Sequence, residues 1–243
     1  MKTFSSLKAV FINCSLKQDV SESHTQNLLN KVLAIMESEG VAVTSLYAQD
    51  YAIAFGMLKD GKEAGLKDDW PQIQAQVMEA DILVIGTPIW LGAKSSVATL
   101  VMERLYAYSG EYNDKGQYAY YAKVGGCVIT GNEDGVKHCA MDILYGLQHI
   151  GYTIPPQADC GWVGEAGPGP SYGDVRFDDK LVNVDGTPAG YDNDFTNKNT
   201  TYMAWNLMHM ALLLKNNGGI AAQGNTKDGW EKVANAKGKN NVL

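Results

Sequence analysis

The sequence predicts an α/β domain with a doubly wound, five-stranded parallel sheet, and three observations lead there. Short apolar runs of strand length alternate with segments of helical period from residue 8 to about residue 155. Alternation of this kind builds βαβ units, whose sheet is covered by helices on both faces. The three oddest segments, 15–25, 86–94 and 130–135, each follow a predicted strand. In a doubly wound sheet, ligands bind outside those carboxyl ends.

Taken in order, Ala9–Cys14 is a short apolar run ended by Ser15 and reads as a buried strand. Leu28, Leu29, Val32, Leu33 and Met36 then recur at helical spacing, and Gly40 supplies the stop. Val41–Leu46 alternates as a second strand, and Tyr51–Asp69 has no period and reads as an irregular insertion. Trp70-Pro71 opens a short helix to Ala80, and Ile82–Ile85 is the cleanest buried strand, ending in Gly86-Thr87-Pro88. Val97, Leu100, Val101 and Leu105 mark a helix from Ser95 to about Tyr108. Lys123–Thr130 is the fourth strand, and Met141, Leu144, Leu147 and Ile150 mark the next helix, stopped by Gly151. Tyr152–Ile154 begins a fifth strand limited by proline. Residues 161–190 are rich in Gly and Pro, and a last helix beginning near Phe195 carries Met203, Leu207, Met210 and Leu214. The chain after Asn216 is polar. The predicted organisation is one domain over 1–216 (core 8–160, extension 161–216) and a polar tail over 217–243.

Composition narrows the function. With 20 Lys+Arg against 27 Asp+Glu, the net charge of −7 speaks against a nucleic-acid or anionic-membrane surface, which needs a basic face. The apolar stretch behind Lys2 and Lys8, Ala9–Ile12, is shorter than the ~7–15 residues of a signal-peptide core. No stretch approaches the ~18 apolar residues of a membrane span. Cys14, Cys127, Cys139 and Cys160 are scattered without C-x-x-C spacing, and no H-E-x-x-H is present, so no metal ligand is expected. A reduced cytoplasmic protein is the expectation. Glycine is in excess, 26 of 243 or about 11% against a usual ~7%.

The first odd segment, Ser15 to Thr25, sets four hydroxyls and Lys17 at a helix N-terminus. Unpaired amides and the helix dipole make such a place a phosphate cradle, although Ser and Thr are favoured caps in any case. G-x-x-x-x-G-K-[ST] and G-x-G-x-x-G are both absent, which favours a terminal monophosphate over a triphosphate or a dinucleotide. In the second, Gly86-Thr87-Pro88-Ile89-Trp90-Leu91-Gly92, the tryptophan either lines a flat ligand or packs on the next helix. The third, Thr130-Gly131-Asn132-Glu133-Asp134-Gly135, either brings backbone close to a ring edge or is an ordinary turn.

Together, N-C-S-L-K…S-H-T at 13–25, G-T-P-I-W-L-G at 86–92 and T-G-N-E-D-G at 130–135 resemble the flavodoxin-like NAD(P)H-dependent FMN reductases and related quinone reductases. The resemblance covers about residues 8–155. It implies a flavodoxin-like fold, FMN as cofactor and NAD(P)H as co-substrate. It also implies phosphate ligands at Ser15, Lys17, Ser23 and Thr25. Pro88, Ile89, Trp90 and Leu91 then flank the isoalloxazine, and Thr130, Gly131, Asn132 and Gly135 close over its other edge. Lys17 stands where the family often has arginine and offers a point charge in place of a fork. Residues 47–80 contain no cysteine, so the cluster of the family's iron–sulfur branch is not expected. The implied activity takes hydride from NAD(P)H and hands electrons to a quinone, flavin or other small acceptor, in a homodimer or homotetramer. Because the cofactor carries the chemistry, no catalytic side chain is assigned. The alternatives are a flavodoxin-type carrier without NAD(P)H reactivity and a flavin-free binding protein. The segment 161–195 is expected to be a lid or a subunit contact.

Overall fold

The computed structural model describes residues 3–164, 167 and 169–240. Along the chain run β1 (Lys8–Asn13), α1 (His24–Ser38), β2 (Ala42–Tyr47), α2 (Trp70–Glu79), β3 (Ile82–Trp90), the two-residue β4 (Ala93–Lys94), α3 (Ser96–Tyr106), β5 (Val124–Gly131) and α4 (Val136–Ile150). They are followed by β6 (Asp159–Val163), a small hairpin of β7 (Arg176–Phe177) and β8 (Lys180–Leu181), α5 (Asp194–Asn216) and α6 (Lys227–Asn240). Five strands form a parallel sheet in the order β2-β1-β3-β5-β6, with β4 antiparallel to the end of β3.

The period-two pattern of the strands explains the two cores. Val10, Ile12, Leu83, Ile85, Cys127 and Ile129 turn to the face covered by α2, α3 and α4, where Trp70, Ile73, Val101, Leu105, Ile143 and Leu147 meet them. Their neighbours Ala9, Phe11, Ile82, Val84 and Val128 turn the other way, onto Leu28, Leu29, Val32 and Met36 of α1 and Met203, Leu207 and Met208 of α5. A strand buried on both faces reads as a continuous apolar run. Capping side chains begin the helices: Ser23 Oγ accepts from the Gln26 amide, Ser95 Oγ from that of Ala98, and Asn193 Oδ1 from that of Thr196.

Four boundaries differ from the sequence expectation. β3 does not end at Ile85 but runs to Trp90, so much of the predicted second loop is strand, with Pro88 opposite Thr130 at the end of the ladder. Thr153 makes only an isolated bridge to Val124, and the fifth strand begins at Asp159, because neither Pro155 nor Pro156 can donate to a ladder. Residues 176–181 form a hairpin inside the Gly/Pro-rich stretch. The polar tail carries a helix of its own, α6 over 227–240. The irregular insertion at 51–69 is pinned from within: Asp68 and Arg104, both with fully buried side chains, form an ion pair beneath it.

Candidate functional site

At the carboxyl ends of β1, β3 and β5 lies a cavity of about 730 Å³. It sits where the strand order reverses between β1 and β3, the crevice in which doubly wound sheets bind ligands. Nine of the twelve residues predicted for the site line it: Ser15, Lys17, Thr25, Pro88, Ile89, Trp90, Thr130, Gly131 and Asn132.

One end is polar, and buried hydrogen bonds hold it in shape. Asn13, the last residue of β1, accepts from the Ser15 amide (2.9 Å) and donates to Ser23 Oγ (3.1 Å) and Gln26 Oε1 (3.0 Å). The loop between β1 and α1 is thereby tied at both ends. Ser15 Oγ donates to the Tyr47 hydroxyl (3.2 Å), which donates in turn to the Lys17 carbonyl. The hydroxyls of Thr25 and Thr130 are 2.9 Å apart and join the first loop to the third. In the first turn of α1 the Gln26 and Asn27 amides reach Ser23. The amides of His24 and Thr25, both residues of the cavity wall, are left without a helical acceptor. Hydroxyls, first-turn amides and the positive end of a helix dipole converge there, with Lys17 beside them.

Another stretch of wall is apolar, formed by Pro88, Ile89 and Trp90, and Leu16 of the first loop also lines the cavity. Trp90 is 55% exposed, so it stands at the rim and is not packed under the next helix. Leu91 and Gly92 form a two-residue turn with φ of 54° and 73°, the all-positive geometry of a tight hairpin. Glu133 Oε1 accepts from the Leu91 amide (2.9 Å), and the Gly92 carbonyl lies 2.8 Å from His138 Nδ1.

Three predicted residues lie elsewhere. Ser23 is fully buried and its oxygen is engaged as the cap of α1. Leu91 is 96% exposed and projects from the hairpin turn. Gly135 has φ +138° and packs on the hairpin: a Cβ there would sit 2.7 Å from the Gly92 carbonyl oxygen. Gly131 and Gly86 also serve protein packing, since a Cβ would fall 2.9 Å from Ile89 Cδ1 and 2.6 Å from Leu29 Cδ1 respectively.

Sequence reasoning missed Leu16, His24, Glu133, Gly167, Ser171 and Tyr172, all of which line the cavity. His24 and Glu133 sat inside the segments already singled out. The last three come from the extension. Asn132 anchors that extension: its Nδ2 donates to the Gly169 carbonyl (2.6 Å), Ser171 Oγ donates to its Oδ1 (3.3 Å), and the Gly167 amide donates to its carbonyl (2.8 Å). The Asn132 amide group is therefore engaged with the strap at 169–174 and holds that wall in place. Glu165, Ala166 and Pro168 of the 161–172 segment lie outside the described residues, as do Met1, Lys2 and 241–243.

All four cysteines are free and buried. Burial pushes the thiols of Cys14 and Cys127 up and that of Cys160 to about 12, so none is a ready thiolate. Among the described residues, no group of three His, Cys, Asp or Glu side chains is placed to hold a metal ion, and no helix is long and apolar enough to cross a membrane.

A protein-family model described as NADPH-dependent FMN reductase matches residues 7–161. Over 213 residues the chain is 54% identical to a segment of the "Divalent metal cation transporter MntH" of Mycobacterium bovis; the match covers 87% of this chain, which spans only 30% of that protein's length. It is 34% identical over 215 residues to the 8-demethyl-8-aminoriboflavin-5'-phosphate synthase of Streptomyces davaonensis, covering 86% of this chain and 79% of that one. A crystal structure of RosB with bound 8-demethyl-8-formylriboflavin-5'-phosphate superposes with a TM-score of 0.78 at 32% identity, over 98% of this chain and 89% of that one.

Proposed function

We propose that this chain, which belongs to the NADPH-dependent FMN reductase family, holds FMN in the cavity and passes electrons from NAD(P)H to a small acceptor such as a quinone or a second flavin. The observation that carries the reading is the two-ended cavity. Its polar end, with Ser15, Lys17, Thr25 and the free amides of α1, suits a phosphate monoester. Its apolar wall at Pro88–Trp90 suits a flat ring, and a volume of about 730 Å³ is ordinary for a cofactor site.

In this reading Thr25 donates to a phosphate oxygen, Ser15 does so by turning its hydroxyl hydrogen from Tyr47 to the ligand, Lys17 balances the phosphate charge, and Trp90 borders the open face where nicotinamide and acceptor come and go. Bound FMN supplies the hydride and electron transfer. The chain supplies placement and exclusion of water, with Asn132 holding the strap against the ring's far edge. Anaerobic addition of NADPH to the FMN-loaded protein is expected to bleach the visible flavin band rapidly, and a quinone should restore it. Absence of bleaching would leave the flavodoxin-type carrier, and absence of FMN binding a flavin-free protein.

A second reading has its own support. The relatives at 32–34% identity are matched along most of this chain, extension included, and their names concern riboflavin phosphates altered at position 8. Here FMN would be substrate as well as ligand. Mass spectrometry of the flavin recovered after aerobic incubation separates the two readings, because a plain reductase returns FMN of unchanged mass.

A homodimer or homotetramer is also proposed. On α4 the stripe His138, Met141, Tyr145 and His149 is joined by Tyr106 of α3, whose ring lies 6.1 Å from that of His149. Met141 and Tyr145 are 66% and 68% exposed, a patch of the kind a subunit contact covers. Light scattering is expected to give two or four times 26.4 kDa, and Tyr145→Arg to lower it; a monomeric mass for the unaltered protein removes the proposal.

A further inference from the structure

We propose that His24 is an additional ligand of the FMN phosphate and couples that phosphate to the 169–174 strap; this rests on the FMN placement proposed above. His24 is the first residue of α1 and lines the cavity beside the Ser15–Lys17 loop. Its Nδ1 lies 3.0 Å from the Tyr172 carbonyl oxygen. A carbonyl only accepts, so Nδ1 carries the hydrogen and the tautomer is fixed. Nε2, on the other edge of the ring, has no hydrogen-bond partner among the described residues. It is the one ring nitrogen that can take up a proton, and it then donates.

With a proton on Nε2 the ring donates to a phosphate oxygen, and from the strap Asp174 Oδ1, 3.7 Å from Nδ1, faces the resulting cation. Asp174 is itself held, since its Oδ2 accepts from the Ser171 amide at 2.7 Å. Glu133, the acid that lines the cavity, is engaged with the Leu91 amide. His24 thus contacts the strap through one nitrogen and the phosphate through the other. The strap's closure and the phosphate's binding then support each other through a single side chain.

The test compares FMN with riboflavin, which lacks the phosphate, by flavin fluorescence titration of the full chain. His24→Asn keeps an amide N–H for the Tyr172 carbonyl and leaves nothing at the Nε2 position. It is expected to weaken FMN binding about tenfold to a hundredfold, the size of one charge-assisted hydrogen bond, while riboflavin binding stays as in the unaltered protein. His24→Gln, whose amide reaches the Nε2 position, should recover part of the loss. Asp174→Asn should weaken FMN binding to a smaller degree, again sparing riboflavin. Unaltered FMN affinity in His24→Asn would overturn the proposal, and so would an equal loss for both flavins, which marks a role in folding or strap packing alone. The two levels separate cleanly. If the unaltered protein does not prefer FMN to riboflavin, the phosphate placement itself fails. If that preference is lost in Ser15→Ala/Thr25→Ala but kept in His24→Asn, only the role of His24 falls.

Discussion

Replacing Ser15 and Thr25 together by alanine is expected to raise the FMN dissociation constant by about two to four orders of magnitude, since each hydrogen bond to a charged group contributes about 1.5–3 kcal/mol. The geometry explains why these two hydroxyls matter more than their neighbours. Thr130 can donate to Thr25 Oγ1 across 2.9 Å, which leaves the Thr25 hydrogen for the ligand. Ser15 is held by Asn13 at its amide and Tyr47 at its hydroxyl, and serves the ligand by turning its hydrogen from Tyr47 to the phosphate. Ser23, equally prominent in the sequence, is excluded because it is fully buried outside the cavity wall, with its oxygen capping the helix. Riboflavin affinity should hardly change. Fluorescence titration checks both flavins, and FMN binding like that of the unaltered protein would remove the phosphate from this end of the cavity.

The largest effect on stability is expected at a pair remote from the chemistry. Asp68→Ala should cost about 3–5 kcal/mol, the usual result of leaving one half of a buried ion pair alone. Asp68 accepts from Arg104 Nη1 (2.9 Å) and Nη2 (2.7 Å) and from the amides of Ala54, Gly61 and Trp70. Arg104 also donates to the Ala54 carbonyl (2.7 Å) and lies over the Trp70 ring. Two residues therefore organise the whole insertion at 51–69, and a thermal melt or urea titration would register the loss. The pH dependence follows with a definite sign. Burial pushes the Asp68 carboxyl up, but Arg104 and the three amides outweigh it and hold it at about 2. An unfolded aspartate titrates near ~3.9, so the pair's stabilisation is full above that value and is lost as pH falls from about 4 to about 2. Asp68→Ala should lack this component of acid unfolding; an unchanged acid midpoint would contradict it.

How much of this was legible beforehand differs by element. β1, β2, β5 and the helices α1 to α5 announced themselves through period, caps and glycine stops. β3 was read four residues long and is nine, because Pro88 and Gly86 look like turn residues unless the neighbouring β5 is known to complete the ladder. At three positions by the strand ends the glycines serve packing. Gly86, Gly131 and Gly135 admit Leu29, Ile89 and the Gly92 backbone, so they let protein pack against protein beside the site.

The fold class, the three loops at the strand ends and most of the residues that gather in the cavity were readable from the sequence alone. These follow from local rules: periodicity of two or 3.6, and strand ends that in a parallel sheet all emerge on one side. Which hydroxyls reach the cavity and which are buried beneath it is settled by folding, as with Thr25 against Ser23. Folding alone brought Gly167, Ser171 and Tyr172 back over a site formed some 40 to 150 residues earlier in the chain. No local rule could foresee that wall, because its contacts with Asn132 and His24 depend on where α5 and the returning strap pack against the finished sheet.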